Sequence, residues 1–272
     1  MTANTHANEN SNKARYEECI VAFLDILGFK NNVLNSQNDL SILENIVQSL
    51  KIVNAIPSGG KKVSNSLEGE RTIKIRSRFF SDSLVFFLRK KPEDIAHLFF
   101  IIRYLQDQLW HRGICLRGSI NLGEMYWTRE DDNVTVGKGL IDAYETESTI
   151  AIYPRIIVSE ELHALIEHEN ANSVPFGDER VTSLNQCINK DADGLYFLDL
   201  LNPRIRRAED ESLEILPNGN EFSIRYTPYS PGQLPNVLQS IDKIIEDNIN
   251  TRNAKAKQKY SWLKTYRGNF NG

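Results

Sequence analysis

Between Cys19 and Phe29 the chain reads CIVAFLDILGF, apolar or small at every position but one. A stretch rich in β-formers and without alternation predicts a strand buried on both faces. From Asp39 to Ile56 the apolar residues fall at Leu40, Leu43, Ile46, Val47, Leu50 and Val53, the spacing of an amphipathic helix. Ile56 to Glu70 reads as a polar Gly/Ser loop. Arg71 to Phe80 alternates, with Ile73 and Ile75 on one side and Lys74, Arg76 and Arg78 on the other. SDSLVFFL follows directly, so Ser81-Asp82-Ser83 predicts the tip of a hairpin. Next come a helix over Glu93–Trp110 behind Pro92 and a strand over Ile114–Gly123 that continues through Met125-Tyr126-Trp127. A return strand spans Val134–Gly137, then a helix Gly139–Thr149 and a short strand Arg155–Ser159. The remainder predicts a helix near Glu160–His168, strands near Gly194–Leu200 and Glu221–Tyr226, and helices from Leu234 to Arg252 and on to Tyr266. This order implies an α/β (α+β) sandwich, a mixed or antiparallel sheet with helices on one face. Residues 1–15 read as a disordered polar arm, 16–200 as the core domain, and 201–272 as an extension ending in a basic helix.

Composition narrows the function. The chain has 272 residues, with 32 Lys and Arg against 36 Asp and Glu, a formal charge of -4. That balance argues against gripping nucleic acid over a broad surface. The densest apolar run, Ile95 to Leu105, is broken by His97 and Arg103 and is far short of the ~18 residues of a membrane span. The first residues, MTANTHANENSNK, lack the apolar centre of a secretory signal. Cys19, Cys115 and Cys187 are odd in number and widely spaced, as expected of reduced thiols in a cytoplasmic protein.

Two acids carry the candidate chemistry. Asp25 stands alone in its apolar strand, and a lone carboxylate there must neutralise, pair or bind a cation. It precedes Gly28-Phe29, a turn able to aim backbone N–H groups at phosphate oxygens. Asp82 lies at the hairpin tip. Two carboxylates from adjacent strand ends suit hard divalent cations. The plainer alternatives are that Asp25 pairs with a buried arginine and that Asp82 merely caps a turn.

At this point FLDILGF and FFSDSLVFF resemble the motifs of class III nucleotidyl cyclases, F-x-D-I-x-G-F and a hairpin carrying the second acid. RGSINLGEMYW is similar to that family's fourth strand, and VGKGLIDAYETE to its G-x-x-V-N-x-A-x-R-L-E helix. The resemblance covers about residues 16–160. It implies a homodimer with active sites at the interface and two divalent cations, Mn²⁺ or Mg²⁺, held by Asp25, Asp82 and the carbonyl of Ile26. It further implies a nucleoside triphosphate substrate, with phosphate contacts from Gly28 and Phe29. The ribose 3′-hydroxyl would attack the α-phosphate and release pyrophosphate, a reaction of positioning and charge neutralisation.

The sequence departs from that family in two places. Aligning Ala143 and Glu147 puts Ile141 and Glu145 where a phosphate-binding Asn and Arg belong, so Arg117, Lys138 or Arg155 would have to substitute. Where purine cyclases read the base with a Lys and an Asp, this chain has Arg78 and either Val134 or Val136. These differences, with RGSI, YPRIIVS and KYSWLKTY, resemble the pyrimidine cyclases of the antiphage Pycsar system. That resemblance implies cyclic UMP or cyclic CMP made as a messenger for a separate effector, with UTP favoured over CTP. A guanidinium offers paired donors to a pyrimidine O2, so Arg78 and Arg117 are expected at the base. Phe80, on the same strand face as Arg78, is a candidate to stack on the base, although a core position is the reading its surroundings favour. Of the basic residues between Arg252 and Arg267, Lys259 is expected over the triphosphate, while Trp262, Leu263 and Tyr266 dock the helix. A purine cyclase, or a cyclase-like domain that binds nucleotide without turnover, remains the competing reading.

Overall fold

The computed structural model describes residues 15–54, 59–65, 69–128, 134–168, 184–202, 212–218, 221–227 and 233–270. The expected N-terminal arm therefore lies outside the described residues, apart from Arg15.

Strand β1 (Glu17–Ile26) is the axis of the fold. It pairs antiparallel with β4 (Ser83–Arg89) on one side and with β5 (Leu116–Trp127) on the other. Beyond β4 lies β3 (Gly69–Phe80), and beyond β5 lies β7 (Ile156–Val158), which runs parallel to it. β9 (Tyr196–Leu198) and β8 (Ile188–Lys190) complete that edge, and β6 (Thr135–Val136) folds back on β5. The sheet is mixed, as the order of elements implies.

The expected loop between Ile56 and Glu70 is largely strand. β2 (Gly59–Asn65) pairs antiparallel with β3 from Gly59↔Ile75 to Asn65↔Gly69, and it also runs parallel to β11 (Glu221–Thr227). β11 forms a hairpin with β10 (Ser212–Asn218). Gly and Ser concealed this hairpin, because pairing with neighbours overrides weak β-propensity.

Both faces of β1 are buried. Ile20, Ala22, Leu24 and Ile26 face the main core with α3 (Pro92–Trp110), whose Ile95, Leu98, Ile102, Leu105 and Leu109 are inaccessible. Each such side chain contributes roughly 1.5–3 kcal/mol on burial. α2 (Leu40–Asn54), α5 (Glu160–His168), α6 (Gln233–Asn248) and α7 (Ala254–Gly268) also contribute to this core. Cys19, Val21 and Phe23 point the other way, into a smaller cluster with Val85, Phe87, Met125, Trp127 and Ala143 of α4 (Lys138–Thr149). Helices therefore cover both faces, not the single face expected. The reason is β1 itself, whose Cys19, Val21 and Phe23 are apolar like their even-numbered neighbours and need a cover of their own.

α4 rides directly on strand backbone. A Cβ added at Gly123 would strike the Cα of Gly139, and one at Gly139 would come within 3.0 Å of the Gly123 carbonyl carbon. The Ser119 hydroxyl donates to the carbonyl of Ala143 at 2.8 Å, fixing the helix along β5. All three cysteines are buried thiols outside any disulfide, and burial pushes Cys19 and Cys115 up to about 12. Among the described residues no helix is long and apolar enough to cross a membrane.

Candidate active site

The register of three strands assembles the site. On the face of the sheet covered by α4, Asp25 of β1 lies between Ser83 of β4 and Arg117 of β5, and Ser83 in turn pairs with Phe80 of β3. The hairpin tip is tied down by the Ile26 amide, which donates to the carbonyl of Asp82 at 3.1 Å. Ser81 takes φ 57°, a conformation usually left to glycine in such tight turns and costing on the order of 1–3 kcal/mol. Asp25 and Asp82 are thus brought together at adjacent strand ends, and the charge of Asp82 is felt at Asp25.

Asp25 also meets the plainer expectation. Arg117 Nε donates to its Oδ2 at 3.2 Å. Glu147 Oε1, on the buried side of α4, lies 2.7 Å from the same nitrogen but out of line for a hydrogen bond. Burial raises the Asp25 pKa above the ordinary carboxylate value; the Arg117 charge opposes this and Asp82 reinforces it. Burial also pushes Glu147 up to about 7, again against Arg117 and with the help of Asp25 and Asp82. Lys259 of α7 completes the cluster. Its pKa is lowered, first by burial and then by Arg117, while Asp25 and Glu147 hold it up.

The other expected residues are placed as follows. Gly28 adopts φ 81°, starting α1 (Phe29–Ser36) without a side-chain cap, so the helix's first amides point out beside the acids' strand. Phe80 is not core: it is 58% exposed, and its neighbour Phe79 packs inward against Phe86 instead. Arg78 lies on the same face of β3 as Phe80, two residues away, and donates to the Ser77 carbonyl at 2.8 Å. Arg117, expected at the base, stands at the carboxylates. Of the three cations expected to replace the missing phosphate donors, only Arg117 is at the acids. Lys138 is exposed and bonds Asp142 one turn along α4, while Arg155 is buried and forked onto Asp191 and Asp193. Ile141 and Glu145 occupy the exposed side of α4.

Sequence reasoning did not select Glu147 as a site residue. Its signal was its spacing: Gly139, Ala143 and Glu147 recur every fourth residue, marking one buried helix face, and an acid on such a face demands a partner.

The docking expected of α7 is present. Trp262 Nε1 donates to Asp191 Oδ2 at 2.6 Å, and its ring stacks on Tyr153 at 5.8 Å. Tyr266 donates to Asp199 at 2.6 Å and accepts the Leu201 amide at 2.9 Å, while Leu263 is inaccessible. These contacts hold the helix that brings Lys259 to the acids.

The donor set suits hard divalent cations in kind, offering two carboxylates and one backbone carbonyl from adjacent strand ends. Among the described residues no three His, Cys, Asp or Glu side chains form a ready metal cage, so any ion would depend on that carbonyl, substrate phosphates and water.

No family model and no curated protein matches the chain. Among solved structures it is similar to the monomeric guanylyl cyclase domain of the RhoGC fusion protein from the aquatic fungus Blastocladiella emersonii. That match has 16% identity and a TM-score of 0.41, over 69% of this chain and 98% of the other. It is also similar to an adenylate/guanylate cyclase/hydrolase from Silicibacter pomeroyi, at 16% identity and a TM-score of 0.32, over 80% of this chain and 100% of the other.

Proposed function

We propose that the chain is a nucleotidyl cyclase, converting a pyrimidine nucleoside triphosphate, UTP before CTP, to its 3′,5′-cyclic monophosphate and pyrophosphate. The observation that carries this reading is the meeting of Asp25 and Asp82 at neighbouring strand ends, with the uncapped start of α1 following β1 and the charge of Lys259 felt at Asp25.

Asp25, Asp82 and the Ile26 carbonyl would hold two divalent ions, Mn²⁺ or Mg²⁺, which when bound supply Lewis-acid polarisation and charge neutralisation. The chain's own residues do the rest. The first amides of α1, at Gly28 and Phe29, take phosphate oxygens, and Lys259 neutralises triphosphate charge. Phe80 offers an exposed ring for the base, and Arg78, on the same strand face, offers paired donors to a pyrimidine O2. The ribose 3′-hydroxyl gives up its proton to solvent as its oxygen bonds the α-phosphorus, and the bond from that phosphorus to the oxygen bridging to the β-phosphate breaks, releasing pyrophosphate. The absence of an acid at Val134 or Val136, where a purine's amino group would need an acceptor, supports the smaller base. The wider reading follows the resemblance stated from the sequence: a cytoplasmic homodimer whose product is a messenger for a separate effector in antiviral defence.

The test is incubation of purified chain with Mn²⁺ and each of the four nucleoside triphosphates, with products identified by mass spectrometry. Cyclic UMP, or cyclic CMP, is the expected product, and Asp82→Ala is expected to abolish it without changing the circular dichroism. Cyclic AMP or GMP would move the reading to a purine cyclase. No product from any triphosphate, or full activity in Asp82→Ala, would overturn it.

A further inference from the structure

Arg117 stands between two acids with only one of them properly bonded. Its Nε–H is aimed at Asp25 Oδ2, while the nearer oxygen, Glu147 Oε1, is buried and without a hydrogen bond. A buried carboxylate oxygen left in that state is uncommon and calls for a donor. Glu147 itself has little freedom, because α4 is seated on the glycine backbone of β5 and held by Ser119. Among the described residues, Asp82 and Lys259 are further charges felt at Glu147. Arg117 is the member with room to turn, since its side chain is more exposed than that of either acid.

We propose that Arg117 is a positioning residue with two settings: it occupies Asp25 when no divalent cation is present, and passes to Glu147 when a cation takes Asp25. This rests on the reading of Asp25 as a cation ligand given above, and it adds a role for Glu147. In the first setting the guanidinium covers the oxygen a cation needs and holds a buried carboxylate ready without an ion. In the second, the waiting Glu147 oxygen gains its donor, and the positive charge stays in the site instead of leaving it. Cation binding is thereby a competition with an internal cation, and Glu147 sets the balance.

The probe is Mn²⁺ alone, followed by loss of the free-ion EPR signal on titration into metal-free protein. Arg117→Gln is expected to tighten Mn²⁺ binding by about tenfold, because a unit positive charge a few ångströms away is removed. Glu147→Gln is expected to weaken it several-fold, since Arg117 is then left wholly to Asp25. The decisive comparison is the double variant: with Arg117 already replaced, Glu147→Gln is expected to have little further effect. Weaker or unchanged Mn²⁺ binding in Arg117→Gln overturns the proposal, as does an equal effect of Glu147→Gln with and without Arg117. A second measurement needs no variant at the arginine. Addition of Mg²⁺ to wild-type protein is expected to shift the Arg117 Nε–H resonance, and not to shift it in Asp25→Asn; an unmoved resonance in the wild type overturns the proposal. Mn²⁺ binding that survives intact in Asp25→Asn would instead overturn the assignment of the cation site.

Discussion

Replacing Arg155 by methionine tests what holds the C-terminal helix in place. The arginine side chain is 1% exposed and forks onto Asp191 and Asp193, with its guanidinium 5.1 Å from the Tyr153 ring centre and 5.8 Å from that of Trp262. Asp191 in turn accepts the indole N–H of Trp262. Methionine fills much of the same volume, so the loss is chiefly electrostatic. Removing one partner of a buried ion pair costs about 3–5 kcal/mol. Asp193 keeps 40% of its side-chain surface in water and recovers part of its solvation, which puts the expected loss near the lower end, about 3 kcal/mol. For a chain of this size that is a fall in Tm of roughly 6–12 °C. Trp262 is expected to loosen first, and because Trp110 and Trp127 are buried elsewhere, a red shift in fluorescence would report on it. A Tm within 2 °C of the wild type (about 1 kcal/mol or less) with unchanged emission would refute the reasoning.

Three further outcomes follow from the geometry. Gly123→Ala sets a methyl group against the Gly139 backbone and is expected to destabilise the fold by about 3 kcal/mol or more, read by urea denaturation, since neither backbone can retreat without lifting α4. In metal-free buffer, Glu147 makes stability fall as pH rises: the folded chain holds its proton up to about pH 7, above the ordinary glutamate value of 4.5, so the stabilisation is complete below pH 4.5 and is lost on passing through pH 7. The urea midpoint is therefore expected to drop between pH 5 and pH 8, and Glu147→Gln to flatten that slope; an unchanged slope would refute the assignment. Phe80→Ala is expected to leave Tm unchanged, because the ring is largely exposed, yet to weaken nucleotide binding by about 1–3 kcal/mol if a base stacks there, as measured by calorimetry.

What the sequence made legible was the part ruled by period and position. β1 announces its double burial by its unbroken apolar run, and the Ser81-Asp82 turn is marked by turn residues between two apolar strands. The polar and the very short strands were harder to read. β2 has little apolar content and exists by pairing with β3 and β11, a long-range contact that no local window contains. β8 and β9, three residues each, are too short to show a period. Phe79 and Phe80 are alike in sequence, and strand phase alone decides which is core. Arg155 looked like a phosphate ligand only because Asp191 and Asp193, 36 and 38 residues away, are invisible as partners until the chain folds.

The position of α7 changes how the departures at Ile141 and Glu145 should be weighed. Those residues sit on the exposed side of α4, where Lys138, the cation one turn away, is bound to Asp142. The cations at the acids come from elsewhere, Arg117 from a central strand and Lys259 from the last helix. The strand residue's backbone is fixed in the register that also sets Asp25, so its side chain stays within reach of the acids whatever happens outside the sheet. The helix residue is only as well placed as the clamp of Arg155, Asp191 and Trp262 that docks α7. Under the proposed function this divides the labour: Arg117 governs whether a cation is admitted, and Lys259 whether a triphosphate is held. A chain built this way ties substrate binding to the docking of its C-terminal helix, a dependence that donors carried on α4 would not create, because α4 is locked to the sheet by its glycines.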